Sequence, residues 1–385
     1  MSVAIVDHVV TEQSPPGSCH LRILEALRDE IDFTVFATEL DNPDPNRIEW
    51  VRVPCVTRPL AARFLSFYAL SSLVLARRRK TSFQLVQAFE SCTYRHDIVY
   101  VHFCHRAFLR HHWRQARPRG LRRFAHYVNH RLRSAGERRA VRRASIAVVP
   151  SEALALELKA EHDLDMDRVR VIPNPVEAAR FHRPVDFRRD EMRITLGVAP
   201  SDFLVAFVAL SHYERKGLPE LLQALTITPA TVRLVVVGGK DDLIRTYRNR
   251  VARLGLADRV EFVGNQTDVR PFLWAADAFT APSAYEVFPL ATLQAAAAGL
   301  PLVVTPLAAV SSFFEDGRNG IAIDRDAADI TRALARLAAG EPAWRLELGT
   351  EARRAAAEFD VPRFIERWRD LYRELGVLGG CPGHS

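Results

Sequence analysis

Lysine is nearly absent from this 385-residue chain: of its 53 basic residues only four are Lys, at 80, 159, 216 and 240. Arginine is the default cation. Cysteine is sparse as well. The five Cys (19, 55, 92, 104 and 381) include no CxxC pair. That excludes a disulfide scaffold and fits a reducing compartment. Thirteen His occur without HExxH or a Cys/His pairing, so no metal site is expected. GxxxxGK[ST] is missing, which excludes a P-loop. The 18 Gly and 22 Pro follow no collagen or solenoid period. The first residues read as a strand and not as a secretory signal. The best apolar stretch, residues 61–76, is short for a membrane span and contains Arg63.

What is present is globular composition, with 48% hydrophobic and 26% charged residues. The length suits two domains of about 100–200 residues each. The net charge of +7 hides an asymmetry. Residues 106–143 hold 13 Arg and one acid, Glu137, for +12, so the remainder sums to −5. Such a block marks either a solvated helix pair or a surface for anionic membrane or nucleic acid. No nucleic-acid module is recognisable, so no nucleic-acid partner is expected.

Strand-like and helix-like segments alternate through both halves. Val3–Val6, Phe33–Phe36, Trp50–Val53, Phe83–Val86, Ile98–Val101, Ile146–Val149 and Val169–Ile172 read as strands of the first half. Ser14-Pro15-Pro16-Gly17-Ser18 reads as the loop after the first. The stretch from Pro173 to Arg193 reads as a linker. In the second half Leu204–Leu210, Leu234–Val237, Val260–Val263, Phe279–Ala281 and Leu302–Val304 read as strands, with Leu218–Leu225 and Phe288–Ala298 as helices. The pattern predicts an α/β protein of two parallel-sheet domains, residues 1–182 and 183–360. A helix at 361–378 is expected to pack back toward the first domain, with a disordered tail at 379–385. Doubly wound halves take ligands at the carboxyl ends of their strands.

Two constellations there carry chemistry. Ser211-His212-Tyr213-Glu214-Arg215-Lys216-Gly217 lies between a strand and a helix, where adjacent Arg215 and Lys216 can hold a phosphate. Ser283-Ala284-Tyr285-Glu286-Val287-Phe288-Pro289-Leu290 precedes a helix that Pro289 suits as a first residue. Glu286 can accept hydrogen bonds from sugar hydroxyls. From Pro289 to Gln294 the helix climbs roughly 7–8 Å, enough to grip the far end of an elongated ligand. Asp163-Leu164-Asp165-Met166-Asp167 and Asp324-Arg325-Asp326 read as a solvated turn and a helix-start cluster, not as metal motifs.

These residues resemble motifs of the retaining glycosyltransferases of family 4, which have the GT-B fold of two Rossmann-like domains facing across a cleft. Tyr213, Arg215, Lys216 and Gly217 match one motif of the family. Glu286, Phe288, Ala295, Ala297, Gly299 and Pro301 match a second. Asn174-Pro175-Val176 through Phe181 and Glu315-Asp316-Gly317-Arg318-Asn319-Gly320-Ile321 resemble two more. The resemblance covers residues 145–375 well and 1–144 in outline. Two departures stand out: the family's second glutamate is Gln294 here, and its glycine after Phe is Pro289. Gln294 keeps hydrogen-bonding capacity for a ribose diol but loses the charge-assisted bond. Pro289 removes a backbone N–H.

The resemblance implies a hexosyltransferase that uses a nucleotide-diphosphate sugar, foremost a UDP-sugar, with no metal and no further cofactor. Arg215 and Lys216 would stabilise the departing diphosphate, and Glu286 would orient the sugar. Phe288, Pro289, Leu290, Gln294 and Gly17 would line the donor. His102 would approach the sugar from the first domain, and His105 is the reserve on the acceptor side. The acceptor would be a glycan or a lipid-linked molecule in surface polysaccharide or glycolipid synthesis. The expected place is the cytoplasm, peripheral on the inner membrane through residues 106–143. A non-catalytic nucleotide- or glycan-binding module and a nucleotide-sugar epimerase are the alternatives.

Overall fold

The computed structural model of the chain describes residues 2–78, 83–116 and 122–379, without the side chains of 115, 116 and 122. The chain forms two compact units. The first comprises Met1–His111, Arg119–Pro175 and Val361–Ser385; the second comprises His112–Pro118 and Val176–Asp360.

The first unit is built on a seven-stranded parallel sheet. In chain order its strands are β1 (Ser2–Val6), β2 (Asp32–Ala37), β3 (Glu49–Arg52), β4 (Leu85–Phe89), β5 (Ile98–Tyr100), β6 (Ile146–Val149) and β7 (Val169–Val171). Across the sheet they run β3-β2-β1-β4-β5-β6-β7. A two-residue ladder between Val9–Val10 and Glu39–Leu40 adds a small second sheet that the pattern does not announce. The helix Val361–Glu374 completes this unit, with Trp368 and Tyr372 fully buried in the core that Val3, Ile5, Tyr100 and Val148 line. Its apolar residues at 364, 365, 368, 371 and 372 recur at helical spacing and form one buried face.

The second unit has a six-stranded parallel sheet: β8 (Phe203–Val208), β9 (Val232–Val237), β10 (Val260–Gly264), β11 (Ala278–Ala281), β12 (Leu302–Val304) and β13 (Gly320–Ala322), in the spatial order β10-β9-β8-β11-β12-β13. Alternate residues of β8 enter different cores. Leu204 and Ala206 face one, and Phe203, Val205 and Phe207 the other. Helices cover both faces, which explains the unbroken apolar runs.

Several expectations need correction. Ser14-Pro15-Pro16-Gly17-Ser18 is no loop. The helix Pro15–Leu27 begins there, capped by the Ser14 hydroxyl, which accepts from the Gly17 N–H. Proline is tolerated in a first helical turn, so paired Pro starts this helix. The chain changes unit between Pro175 and Val176, not after residue 182. The stretch read as a linker is structured. The Val176 N–H donates to the Phe359 carbonyl at 2.8 Å. Arg189–Thr195 is a helix whose Arg189 and Arg193 pair with Asp277 at 2.6 and 3.0 Å. Arg193 is buried in its pair, while Asp190 and Glu191 of the same helix remain exposed. The tail expected to be disordered lies, from residue 380 on, outside the described residues.

The basic block also resolves. It contains the helix Arg122–Arg143. Arg106 and Arg110 pair with Glu161 at 2.9 and 3.0 Å, and Arg133 with Glu90 at 2.9 Å. Part of its charge is therefore neutralised within the fold. The apolar stretch is the 18-residue helix Leu60–Arg77, longer than the sequence suggested. By length and composition it could cross a membrane, and only Phe67, Ser71 and Leu75 are buried.

Candidate functional site

In the second unit strand order reverses between neighbouring β8 and β11, and the chain leaves the carboxyl ends of both strands into the two motif loops. That is the topological switch point at which doubly wound sheets hold ligands. After β8, His212 takes a left-handed conformation (φ 58°), Tyr213–Lys216 makes one helical turn, and Gly217 turns the chain again at φ 84°. Tyr213 is fully buried and donates to the Gly238 carbonyl at 2.7 Å. Gly217 is required twice over. Its φ disfavours other residues, and a Cβ there would stand 2.0 Å from the Pro282 carbonyl oxygen. The two loops are thus in backbone contact. The Ala284 N–H donates to the Arg215 carbonyl at 2.8 Å.

The contact brings three expected residues together. Lys216 Nζ lies 2.5 Å from Glu286 Oε1, and an Arg215 Nη lies 3.7 Å from Glu286 Oε2. Arg215 also donates to the Tyr285 carbonyl at 2.9 Å. The Ser283 hydroxyl donates to Glu286 at 2.7 Å. The Glu286 side chain is only 7% exposed, against 19% for each cation. Burial pulls the Lys216 ammonium below the ordinary lysine range; Glu286 opposes that pull and Arg215 adds to it. Burial alone would raise Glu286, but the charges of Lys216 and Arg215 outweigh it and hold the carboxyl below its usual range. The cluster is a buried anion matched by two cations, able to exchange the carboxylate for another anion.

The donor-side residues fall differently. Phe288 is a core residue against Phe313 and Phe359, with ring centroids at 6.2 and 5.8 Å. Pro289 is the N-cap, and the helix is Leu290–Ala297, starting two residues later than expected. The Leu290 N–H is already bonded to the Phe288 carbonyl at 3.0 Å. Gln294 is half-buried one turn further on. His112 comes from the first half of the sequence yet its ring lies tilted against that of Tyr285 with centroids 4.4 Å apart.

In the first unit, Gly17 is buried in its helix, and its N–H points to Ser14. His102 follows β5, with its ring edge-on to Tyr100 at 4.3 Å and Phe89 at 5.3 Å. Burial lowers its pKa to about 3, so the imidazole is neutral at physiological pH. His105 is buried, its ring nitrogen 2.9 Å from that of His130. Glu90, which the sequence reading missed, follows β4 in a left-handed conformation (φ 47°) and accepts from Arg133 at 2.9 Å. Burial would raise its pKa, but His105, Arg133 and His102 hold it at about 2.

The fold also groups Cys104, Glu137 and His162, whose ligand-type atoms lie within 4.8 Å of one another. Glu137, the lone acid of the basic block, is a buried acceptor here. It takes hydrogen bonds from the Cys104 thiol at 3.4 Å, the His105 N–H at 2.6 Å and His162. Hydrogen bonding accounts for the grouping.

The family model described as Glycosyltransferase Family 4 matches residues 20–180, and that described as Glycosyl transferases group 1 matches residues 202–339. The chain belongs to glycosyltransferase family 4. Among curated family members, a D-inositol 3-phosphate glycosyltransferase of Jonesia denitrificans is 26% identical over 241 residues, 60% of this chain and 57% of that protein. Its namesake in Xylanimonas cellulosilytica is 31% identical over 245 residues, 59% of this chain and 58% of that protein. The chain thus spans less than two thirds of the length of these relatives. Among solved structures, WaaG, a glycosyltransferase involved in lipopolysaccharide biosynthesis, superposes with TM-score 0.79 at 19% identity, covering 98% of this chain and 100% of that one. HepE of Anabaena with UDP-glucose gives 0.76 at 18%, covering 97% and 100%. This family 4 chain has the GT-B fold.

The contact at Gly217 yields a stability test within the second unit. Gly197 shares a positive φ (67°) but has nothing within 4 Å of a Cβ. Gly197→Ala should lose roughly 1–2 kcal/mol, the left-handed penalty alone. Gly217→Ala adds the collision and should lose about 1–3 kcal/mol more in urea unfolding. Equal losses would show that the loops tolerate the side chain.

Proposed function

We propose that the protein is a retaining glycosyltransferase that moves a hexose from a nucleoside diphosphate sugar, foremost a UDP-sugar, to a glycan or lipid-linked acceptor. The observation that carries this is the convergence of Lys216 and Arg215 on Glu286 at the switch point. In the reaction the bond between the anomeric carbon and the β-phosphate oxygen breaks, and its electron pair leaves with the diphosphate. The acceptor oxygen bonds to that carbon on the same face, and its proton goes to the leaving phosphate. Lys216 and Arg215 neutralise the developing charge. Glu286, released from Lys216 by the incoming phosphate, accepts from the sugar hydroxyls and fixes the sugar's orientation. Gln294 bonds the ribose through its amide. No metal is assigned a step. The UDP-glucose of HepE supports the donor class, and the phosphorylated cyclitol in the names of the curated relatives supports a hydroxyl-bearing acceptor.

We also place the protein in the cytoplasm, peripheral on an anionic membrane face. Exposed Arg131, Arg138, Arg139 and Arg142 share their helix with Phe124, 74% exposed, while Leu65 and Leu73 of Leu60–Arg77 are about half exposed. Each Arg near such a surface contributes about 1 kcal/mol.

Three measurements test these proposals. Lys216→Ala should cut UDP-glucose hydrolysis or transfer by about 10²–10³ with the fold intact; near-normal turnover rejects the phosphate role. UDP affinity, followed by calorimetry from neutral pH upward, should fall as Lys216 loses its proton, at a pH below the ordinary lysine value of about 10.4. Lys216→Arg, always charged, should abolish that limb; binding without hydrolysis or transfer would favour a non-catalytic module. Sedimentation with anionic vesicles should carry the protein down, and neutral vesicles should not; no dependence on anionic lipid rejects the membrane face.

A further inference from the structure

Asp324-Arg325-Asp326 is absorbed by no part of this chemistry. Asp326 does what a helix-start residue does: it caps Ala327–Ala339, accepting from the Asp329 N–H at 2.9 Å. Arg325 does something else. It projects from between β13 and that helix to the roots of both motif loops. Its Nε donates to the Pro282 carbonyl at 3.0 Å, and an Nη donates to the Glu214 carbonyl. The same Nη reaches Glu220 at 3.1 Å. Glu214 immediately precedes Arg215 and Lys216. Pro282 immediately precedes Ser283, whose hydroxyl holds Glu286.

We infer that Arg325 is a positioning residue for the site: its guanidinium braces the roots of the two loops and so fixes the spacing of Lys216 and Glu286. The planar group suits this task, since its donors are rigidly set relative to one another and a lysine would present only a point charge. The brace is largely out of water, with the Arg325 side chain 19% exposed and Glu220 28%. Loop contact on the other flank, through Ala284 and Arg215, survives its removal, so the loops loosen without separating. The kinetic consequence rests on the transferase reading; the effect on Lys216 does not.

The rarity of lysine makes a direct readout practical. Reductive ¹³C-methylation of the full chain labels four Lys and the terminal amine, and the Lys216 signal is assigned by its loss in Lys216→Arg. In Arg325→Met that signal should move toward those of exposed Lys159 and Lys240, while Arg325→Lys should lie between. With UDP-glucose, Arg325→Met should lose kcat about 10- to 100-fold, as a small misplacement of reacting groups costs, with KM changed far less. Added guanidinium should restore turnover to Arg325→Ala but not to Lys216→Ala. An unchanged Lys216 signal in Arg325→Met overturns the brace whatever the activity. If Arg325→Met fails to fold, the Arg325→Lys signal decides in the same way. A wild-type chain that neither hydrolyses nor transfers from any of a panel of UDP- and GDP-hexoses defeats the transferase reading and leaves the lysine measurement standing.

Discussion

A carboxylate held almost out of water sets the terms for everything around it. Isolated, an ion so buried costs several kcal/mol, and only close partners of opposite charge make it tolerable. Glu286 has Lys216 at 2.5 Å, Arg215 further off and a hydroxyl from Ser283. Two cations to one anion leave the cluster with an excess positive charge. In the proposed reaction that excess draws a diphosphate, and the stronger anion takes Lys216 from Glu286. The carboxylate is then free for sugar hydroxyls when the phosphate is in place, and not before.

The parallel sheet makes this meeting possible. β8 and β11 are neighbours in space but are separated in sequence by two strands and their crossovers. Their carboxyl ends deliver two loops to one spot, and Gly217 lets the loops approach until backbone touches backbone. The surroundings of the cluster are anchored: Tyr213 is bonded in the core, Phe288 packs among aromatic rings, and Arg325 bonds the carbonyls at the roots. Preorganised charges of this kind need not rearrange as a transition state forms.

Much of this was written in local pattern. The central strands are unbroken apolar runs because both faces are covered, and such runs are visible in any sequence. Arg215, Lys216 and Glu286 were legible because they sit in short motifs beside strand ends. Other features were not. The helix at Pro15 was hidden because Pro and Gly signal a turn as readily as a first helical turn. Arg325 read as part of a helix-start cluster because its partners are carbonyls 43 and 111 residues away. Glu137 looked like a lone acid in a basic surface because its donors lie on other elements. Pairing across long sequence separations leaves no local periodicity to read.

The position of Val361–Glu374 has a consequence for synthesis. Trp368 and Tyr372 fill the core of the first unit, although that unit's sheet is encoded in residues 2–171. During translation the sheet emerges before this helix, which follows only after the whole second unit. The second unit, nearly continuous in sequence, has its own core residues assembled earlier. Domains commonly fold in order from the N-terminus. Here the unit begun first is the one finished last.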